Sequence, residues 1–305
     1  MKRKTNEWLL IGMRVLVPAA LVLGLAGTPT TVDANGKSHS TWSTPQPVEN
    51  VAGGCPIESP NGLALYTAGG FDGTLDVWIY ERERIRKPFG PRFKASPPVS
   101  LDNAGDFCPT PLTGGWLMFV SDRAGGCGKA DIYLARYEPG SATNGTEAIN
   151  LGCAPNGPNT GGQELSPSLV SNRDGVYLYY STNGPAGDQD IYVSRMDWDG
   201  SFGPGEPVTE LNTEFNDQQP NVRSDGREIV FSSDRDNAMS GTGQDVFTAV
   251  RTGSAKHWRR AKNLTTRLGF PTVDGNETRA SLSRDGKRLY YGSGGVIFVG
   301  ERKQH

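Results

Sequence analysis

ELSPSLVSNRDGVYLYYSTNGPAGDQDIYVSRMDWDG, residues 164–200, decides how the rest of the chain is read. An alternating apolar run, Val176 to Tyr180, follows Asp174-Gly175. A second run, Asp190-Ile191-Tyr192-Val193, follows a Gly-rich loop that contains Pro185. Alternation with a period of two marks half-buried strands, and Asp-Gly or Asn-Gly pairs favour two-residue hairpins whose turn residues both take φ > 0. The stretch is therefore expected to be a β-meander.

Working outward, the same pattern returns four times. The turn pairs are Asn61-Gly62, Gly114-Gly115, Asp174-Gly175, Asp225-Gly226 and Asp285-Gly286, and their glycines recur every 51 to 60 residues. That spacing lies in the range of propeller blades. An apolar strand follows each turn, and a second opens at Asp76, Asp131, Asp190, Asp245 or Val296. A shorter strand precedes each turn, opened by Pro56, Pro109, Pro167, Pro220 or, in the last copy, Ala280. A fourth is marked by an aromatic six residues ahead of an apolar position: Trp42 with Val48, Phe93 with Val99, Phe202 with Val208 and Trp258 with Leu264. Unit two offers only Ile149-Asn150-Leu151.

The N-terminal member of this series has no blade of its own, and the fifth unit lacks a fourth strand. Pairing Pro47 to Val51 beside Val296 to Gly300 solves both problems and leaves no long free edge. The expected fold is all-β: a five-bladed β-propeller of four-stranded antiparallel blades over residues 46–302, closed by the N-terminal strand, with repeats starting near 53, 106, 164, 217 and 277.

Composition agrees, since 40 glycines and 21 prolines in 305 residues suit many short strands and tight turns. A formal net charge of -2 gives no electrostatic reason to expect nucleic acid or an anionic membrane. At the start, Lys2, Arg3 and Lys4 precede an apolar core at Val15 to Leu25, and small residues run on to Ala34. This reads as a secretory signal over 1–34 followed by a linker over 35–45, because Arg14 leaves roughly 12 apolar residues where a span needs about 20. The expected product is a secreted or periplasmic monomer with no membrane span after cleavage.

Four cysteines, Cys55, Cys108, Cys127 and Cys153, remain in this exported reading, without the Cys-x-x-Cys spacing of zinc or redox sites. On the expected fold, Cys55 and Cys108 hold the same position in successive inner strands, and Cys127 and Cys153 lie in two loops of one face. Cys55–Cys108 with Cys127–Cys153 is the favoured pairing, and Cys108–Cys127 the runner-up.

Inner strands line a propeller's channel, so a repeat position at their start is a candidate binding position. It holds Gly53, Asp106, Glu164, Asp217 and Glu277, with Arg279 close by. Four carboxylates converging on a channel would raise one another's pKa or recruit a cation such as calcium. Their recurrence once per blade favours loop capping instead. The aspartates at 76, 131, 190 and 245 are read in the same way, as acceptors for the Gly-rich loop before them. With only His39, His257 and His305, neither a catalytic triad nor a histidine metal cluster can be built, and no cofactor motif is present.

The combination of Ser-Pro, Asp-Gly, a strand ending in Ser121-Asp122-Arg123 or Ser233-Asp234-Arg235, and then Asp-Ile-Tyr resembles the PD40, or WD40-like, repeats of TolB-type propellers. Cys108-Pro109, Gly125-Gly126-Cys127-Gly128 and Leu151-Gly152-Cys153 are similar to a group of short exported bacterial proteins with such repeats. The resemblance implies a non-enzymatic scaffold that recognises an envelope protein, peptide or glycan; read from the repeat position at the channel mouth, Asp106, Glu164, Asp217, Glu277 and Arg279 are its candidate ligand-binding residues. The alternative is a glycoside hydrolase or lyase that uses the same four carboxylates, as in arabinanase-type propellers.

Overall fold

The computed structural model describes residues 42–303 except 142–143, 185–186, 237–242, 252–256, 269, 272 and 274. The expected signal segment lies outside the described residues. Five sheets of four antiparallel strands form the molecule. Blade one holds β2 (Gly54–Glu58), β3 (Ala64–Gly69), β4 (Asp76–Glu81) and β5 (Phe93–Lys94). Blade two holds β6 (Asp106–Leu112), β7 (Trp116–Ser121), β8 (Asp131–Arg136) and β9 (Ala148–Asn150). Blade three holds β10 (Glu164–Asn172), β11 (Gly175–Thr182), β12 (Asp190–Arg195) and β13 (Glu206–Pro207). Blade four holds β14 (Asp217–Val222), β15 (Glu228–Ser233), β16 (Asp245–Val250) and β17 (Lys262–Asn263). Blade five holds β18 (Thr278–Leu282), β19 (Arg288–Ser293), β20 (Val296–Glu301) and, as its outer strand, β1 (Gln46–Ala52). The closing ladder pairs Gln46 with Val299, Pro47 with Phe298 and Ala52 with Val296. The fold is the expected five-bladed propeller.

Alternation along the strands explains the core. Successive side chains of a strand point to opposite faces, so a blade buried on both sides feeds two apolar slabs. In β15, Ile229 and Phe231 pack toward blade three, and Val230 packs toward blade five. In β19, Leu289 and Tyr291 join the slab with blade four, and Tyr290 joins the slab with blade one. Each blade interface has its own slab in this way.

Two sequence expectations are corrected. Asn61, Asp225 and Asp285 do not take positive φ; only the glycine after each does, Gly62 at 74°, Gly226 at 73° and Gly286 at 68°. The amide of each of these glycines donates to the carbonyl three residues back, as in Gly226 N to Arg223 O at 2.7 Å. The Asx side chain instead accepts from the amide two residues on, at 2.9 Å for Leu63, 3.0 Å for Arg227 and 3.0 Å for Lys287. Asp225 and Asp285 are thus there for their carboxylates, whereas in blade three the Asp174 amide donates to Asn172 Oδ1 at 2.8 Å. In blade one the expected aromatic, Phe93, is exposed, and Phe89 is the buried one, beneath the Arg82 guanidinium.

All five inner strands carry a register shift around one dipeptide: Cys55-Pro56, Cys108-Pro109, Ser166-Pro167, Gln219-Pro220 and Arg279-Ala280. The first residue of each pair takes a positive φ between 45° and 57°. A bulge leaves a residue out of the ladder, which is why proline, lacking an N–H, is accepted inside these inner strands, each the edge strand of its own sheet.

Candidate functional site

The candidate carboxylates sit where the loops enter the inner strands, and the backbone at that position has one job in every blade. Its amide donates to the carbonyl of the residue just before the third strand of the preceding blade. Asp106 N reaches Leu75 O at 2.7 Å, Glu164 N reaches Ala130 O at 2.9 Å, and Asp217 N reaches Gln189 O at 2.7 Å. Glu277 N reaches Gln244 O at 2.7 Å, and Gly53 N reaches Gly295 O at 3.0 Å. The repeat position is an inter-blade tie. Gly53 breaks the carboxylate series for a steric reason: it holds φ at 118°, and a Cβ there would stand 2.6 Å from Ala68 O.

The side chains at this position are buried and turned into their own surroundings. Asp106 accepts from the Leu101 amide at 2.9 Å and from Arg123 Nη2 at 2.7 Å. Asp217 accepts from the amide and hydroxyl of Thr213, at 2.7 and 2.8 Å, and pairs with Arg235. These arginines come from the Ser-Asp-Arg triplets at 121–123 and 233–235. Each lies over two aromatics of its own blade, Phe119 and Tyr133 for Arg123, and Phe231 and Phe247 for Arg235. The partner of each arginine is therefore the carboxylate at the head of the inner strand. Burial pushes the Asp106 carboxyl up, against the pull of Ser121, Arg123 and the Leu101 amide.

Glu164 has no arginine. Its Oε1 accepts from Thr160 at 2.6 Å and Thr182 at 2.7 Å, while Oε2 is buried and receives no hydrogen bond. Burial raises its carboxyl. Glu277 is buried and Arg279 is fully buried. Among the described residues, no group of three His, Cys, Asp or Glu side chains is placed to hold a metal ion.

The aspartates that open the third strands follow a rule the sequence reading missed. Asp76 pairs with Lys94 at 2.8 Å, Asp131 accepts from Asn150 at 2.8 Å, and Asp245 accepts from Asn263 at 2.7 Å. Lys94, Asn150 and Asn263 occupy one fourth-strand position, opposite Trp78, Tyr133 and Phe247. Blade three has Pro207 there, opposite Tyr192. Its Asp190 has accordingly lost that donor: Oδ1 is buried and receives no hydrogen bond. Burial, then the charges of Asp217 and Asp188, raises its carboxyl. Glu164, Thr182 and Asp190 stand in one row across blade three. The signal was present in the sequence as a proline where the other open blades carry Lys or Asn.

Both favoured disulfides are formed, Cys55–Cys108 between the inner strands of blades one and two, and Cys127–Cys153 within blade two. The second holds the loop whose Gly128 amide donates to Asp131 at 3.2 Å. No helix among the described residues is long and apolar enough to cross a membrane. On the face that carries the channel mouth, Phe71 and Leu75 from a loop of blade one, Phe215 before blade four and Val273 before blade five are exposed.

No family model matches the chain, and no curated protein matches it in sequence. Solved structures do match its fold. An α-L-arabinofuranosidase from Lactobacillus brevis is 12% identical, covering 84% of this chain and 92% of that one, with a TM-score of 0.55. The catalytic domain of a Coprinopsis cinerea GH62 α-L-arabinofuranosidase is 11% identical, covering 85% and 96%, with a TM-score of 0.59. A putative TolB from Agrobacterium tumefaciens is 16% identical, covering 78% and 68%, with a TM-score of 0.40. At these identities the likeness is one of fold alone, and the chain is a five-bladed β-propeller that shares its architecture with glycoside hydrolases and has TolB among its structural neighbours.

Proposed function

We propose that the chain is an exported propeller that binds a carbohydrate on its channel-mouth face. The observation that carries this reading is the fate of the recurrent carboxylates: Asp106 and Asp217 are buried against arginines and loop amides, while Phe71, Leu75, Phe215 and Val273 project from the same face. Exposed aromatic and aliphatic side chains beside a polar rim suit the apolar faces of sugar rings. The two disulfides support a compartment outside the reducing cytosol. The arabinofuranosidase propellers among the structural neighbours favour a glycan over a peptide. A glycan array read with wild type and with a Phe71→Ala, Phe215→Ala double variant tests it. Binding that the double variant loses is expected, and an array blank for the wild type would overturn it.

A second reading is glycoside hydrolysis, and the structural neighbours lean toward it more than toward a scaffold. Blade three supports it: Glu164 and Asp190 flank Thr182, each has a buried oxygen that receives no hydrogen bond, and both carboxyls are raised. A raised carboxyl is what a general acid requires, with a second carboxylate about 5–9.5 Å away as nucleophile or base. Release of reducing sugar from arabinan or xylan by wild type, lost in Glu164→Gln, would establish this reading over the first.

A further inference from the structure

The five bulged residues at 55, 108, 166, 219 and 279 form a ring around the channel. Two are joined as the Cys55–Cys108 disulfide, and Gln219 Oε1 accepts from the Arg279 amide at 2.7 Å. The remaining two, Ser166 and Arg279, are both wholly buried. Arg279 crosses the channel from blade five to blade two, where its Nη2 donates to Thr110 Oγ1 at 3.1 Å. Thr110 in turn donates to Pro167 O at 2.5 Å, the carbonyl next to Ser166. The guanidinium is therefore linked through the Thr110 hydroxyl to the carbonyl of Pro167, the residue after Ser166.

A guanidinium has five N–H donors, and this one uses few of them. Nε and Nη1 are buried without an acceptor, and so is the hydroxyl of Ser166. Among the described residues, no carboxylate forms an ion pair with Arg279; at the channel mouth, Asp106 is bound to Arg123, Asp217 to Arg235, and Glu164 to the hydroxyls of Thr160 and Thr182. Burial lowers its pKa to about 9, which still leaves it charged at neutral pH. Taking an ion of this size out of water without a counter-charge is strongly unfavourable, and guanidinium does not relieve that by losing its proton.

We propose that the channel holds a small inorganic anion of the halide class, bound between Arg279 Nε and Nη1 and the hydroxyl of Ser166. The full burial of both side chains selects a free, compact ion over the carboxylate of a larger ligand. This site is independent of the sugar-binding face, because it lies at the bulges within the channel and uses none of the exposed residues of that face.

Bromide is the probe, since it scatters anomalously and replaces chloride. Wild-type protein purified and crystallised from sodium bromide is expected to show an anomalous peak beside Arg279 Nε and Nη1. In solution, the unfolding midpoint is expected to rise with each tenfold increase of chloride and to stay level in sodium gluconate at matched ionic strength, as for any ligand that binds only the folded state. Arg279→Met is expected to abolish the difference between the two salts. A channel with no bromide peak, or midpoints equal in both salts for wild type, would overturn the site, and both readouts stand if Arg279→Met does not fold. Sugar binding in gluconate should be unchanged, so the two proposals can fail separately.

Discussion

Asp131 in the third strand of blade two accepts a hydrogen bond at 2.8 Å from Asn150 in the fourth, and the corresponding fourth-strand position of blade three is Pro207. Blade five shows the other outcome. It has Pro47 at that position opposite Phe298, and Val296 replaces the aspartate. Blade three alone keeps the carboxylate without the donor. Pro207→Asn should supply it. A new hydrogen bond is worth roughly 0.5–1.5 kcal/mol, and losing the proline costs about 0.4–1 kcal/mol through the unfolded chain. The unfolding midpoint should consequently move little, while the Asp190 pKa, followed by NMR, should fall toward its ordinary value. An Asp190 titration unmoved by the substitution would refute the pairing rule.

Glu58 is the buried hub of the seam between blades one and five. It accepts from Tyr290 at 2.9 Å and from Arg288 Nη2 at 2.9 Å, and it also pairs with Arg82. Glu58→Ala leaves two arginines without their shared partner, and breaking a buried ion pair in this way costs about 3–5 kcal/mol. Urea denaturation should register a loss of that order, with Glu58→Gln retaining part of it through the acceptor oxygen. A loss no greater than that of a surface substitution would show that solvent reaches the cluster.

The pH dependence of stability follows from the raised carboxyls of Asp106, Glu164 and Asp190. An acid whose folded pKa exceeds its unfolded value binds more protons when folded, so stability falls as pH rises from the ordinary carboxylate range through the folded pKa. Glu164→Gln keeps an oxygen for Thr160 and Thr182 and removes the charge. Its midpoint should exceed that of wild type at pH 7 and match it near pH 4. The reverse order at the two pH values would place the Glu164 pKa below its ordinary value.

Reduction should separate the two disulfides. Cys55–Cys108 closes a loop of 53 residues across two blades, and Cys127–Cys153 one of 26 residues within a blade. Removing a disulfide typically costs about 2–4 kcal/mol, more for the longer loop. The Cys55→Ser, Cys108→Ser double variant should therefore melt below the Cys127→Ser, Cys153→Ser double variant. Non-reducing peptide mapping of wild type checks the pairing itself, and a peptide linking Cys108 to Cys127 would contradict it.

Calcium should not move the midpoint. Asp106 and Asp217 already hold an arginine and loop donors, so a cation would have to displace them. Melting in excess calcium and in chelator should coincide, and a rise in calcium would show that the channel mouth rearranges.

The blades were legible because each local signal, turn, alternating strand and opening proline, repeats at one spacing, and the closing strand was legible because one strand was left over. The site was less so. Sequence placed Asp106, Glu164, Asp217 and Glu277 at one repeat position, but could not say that two of them would meet Arg123 and Arg235, because that pairing joins the first strand to the loop after the second. The meaning of Pro207 depends on a cross-strand register that is set by distant residues. The sequence marks Arg279 only as lying close to the carboxylate position; its crossing from blade five to Thr110 in blade two has no local trace.

The pairing of Gln46–Ala52 with Val296–Glu301 has a consequence in time as well as in space. The earliest folded residues of the chain wait for nearly the last, so while the polypeptide is being made the barrel of blades stands open as an arc, with both ends unlatched. Closing it is a contact of nearly the greatest sequence separation the chain allows, the kind that forms late and slowly. The same latch is where a pull on the N-terminus would act first, peeling one outer strand from the arc before any inner strand is disturbed.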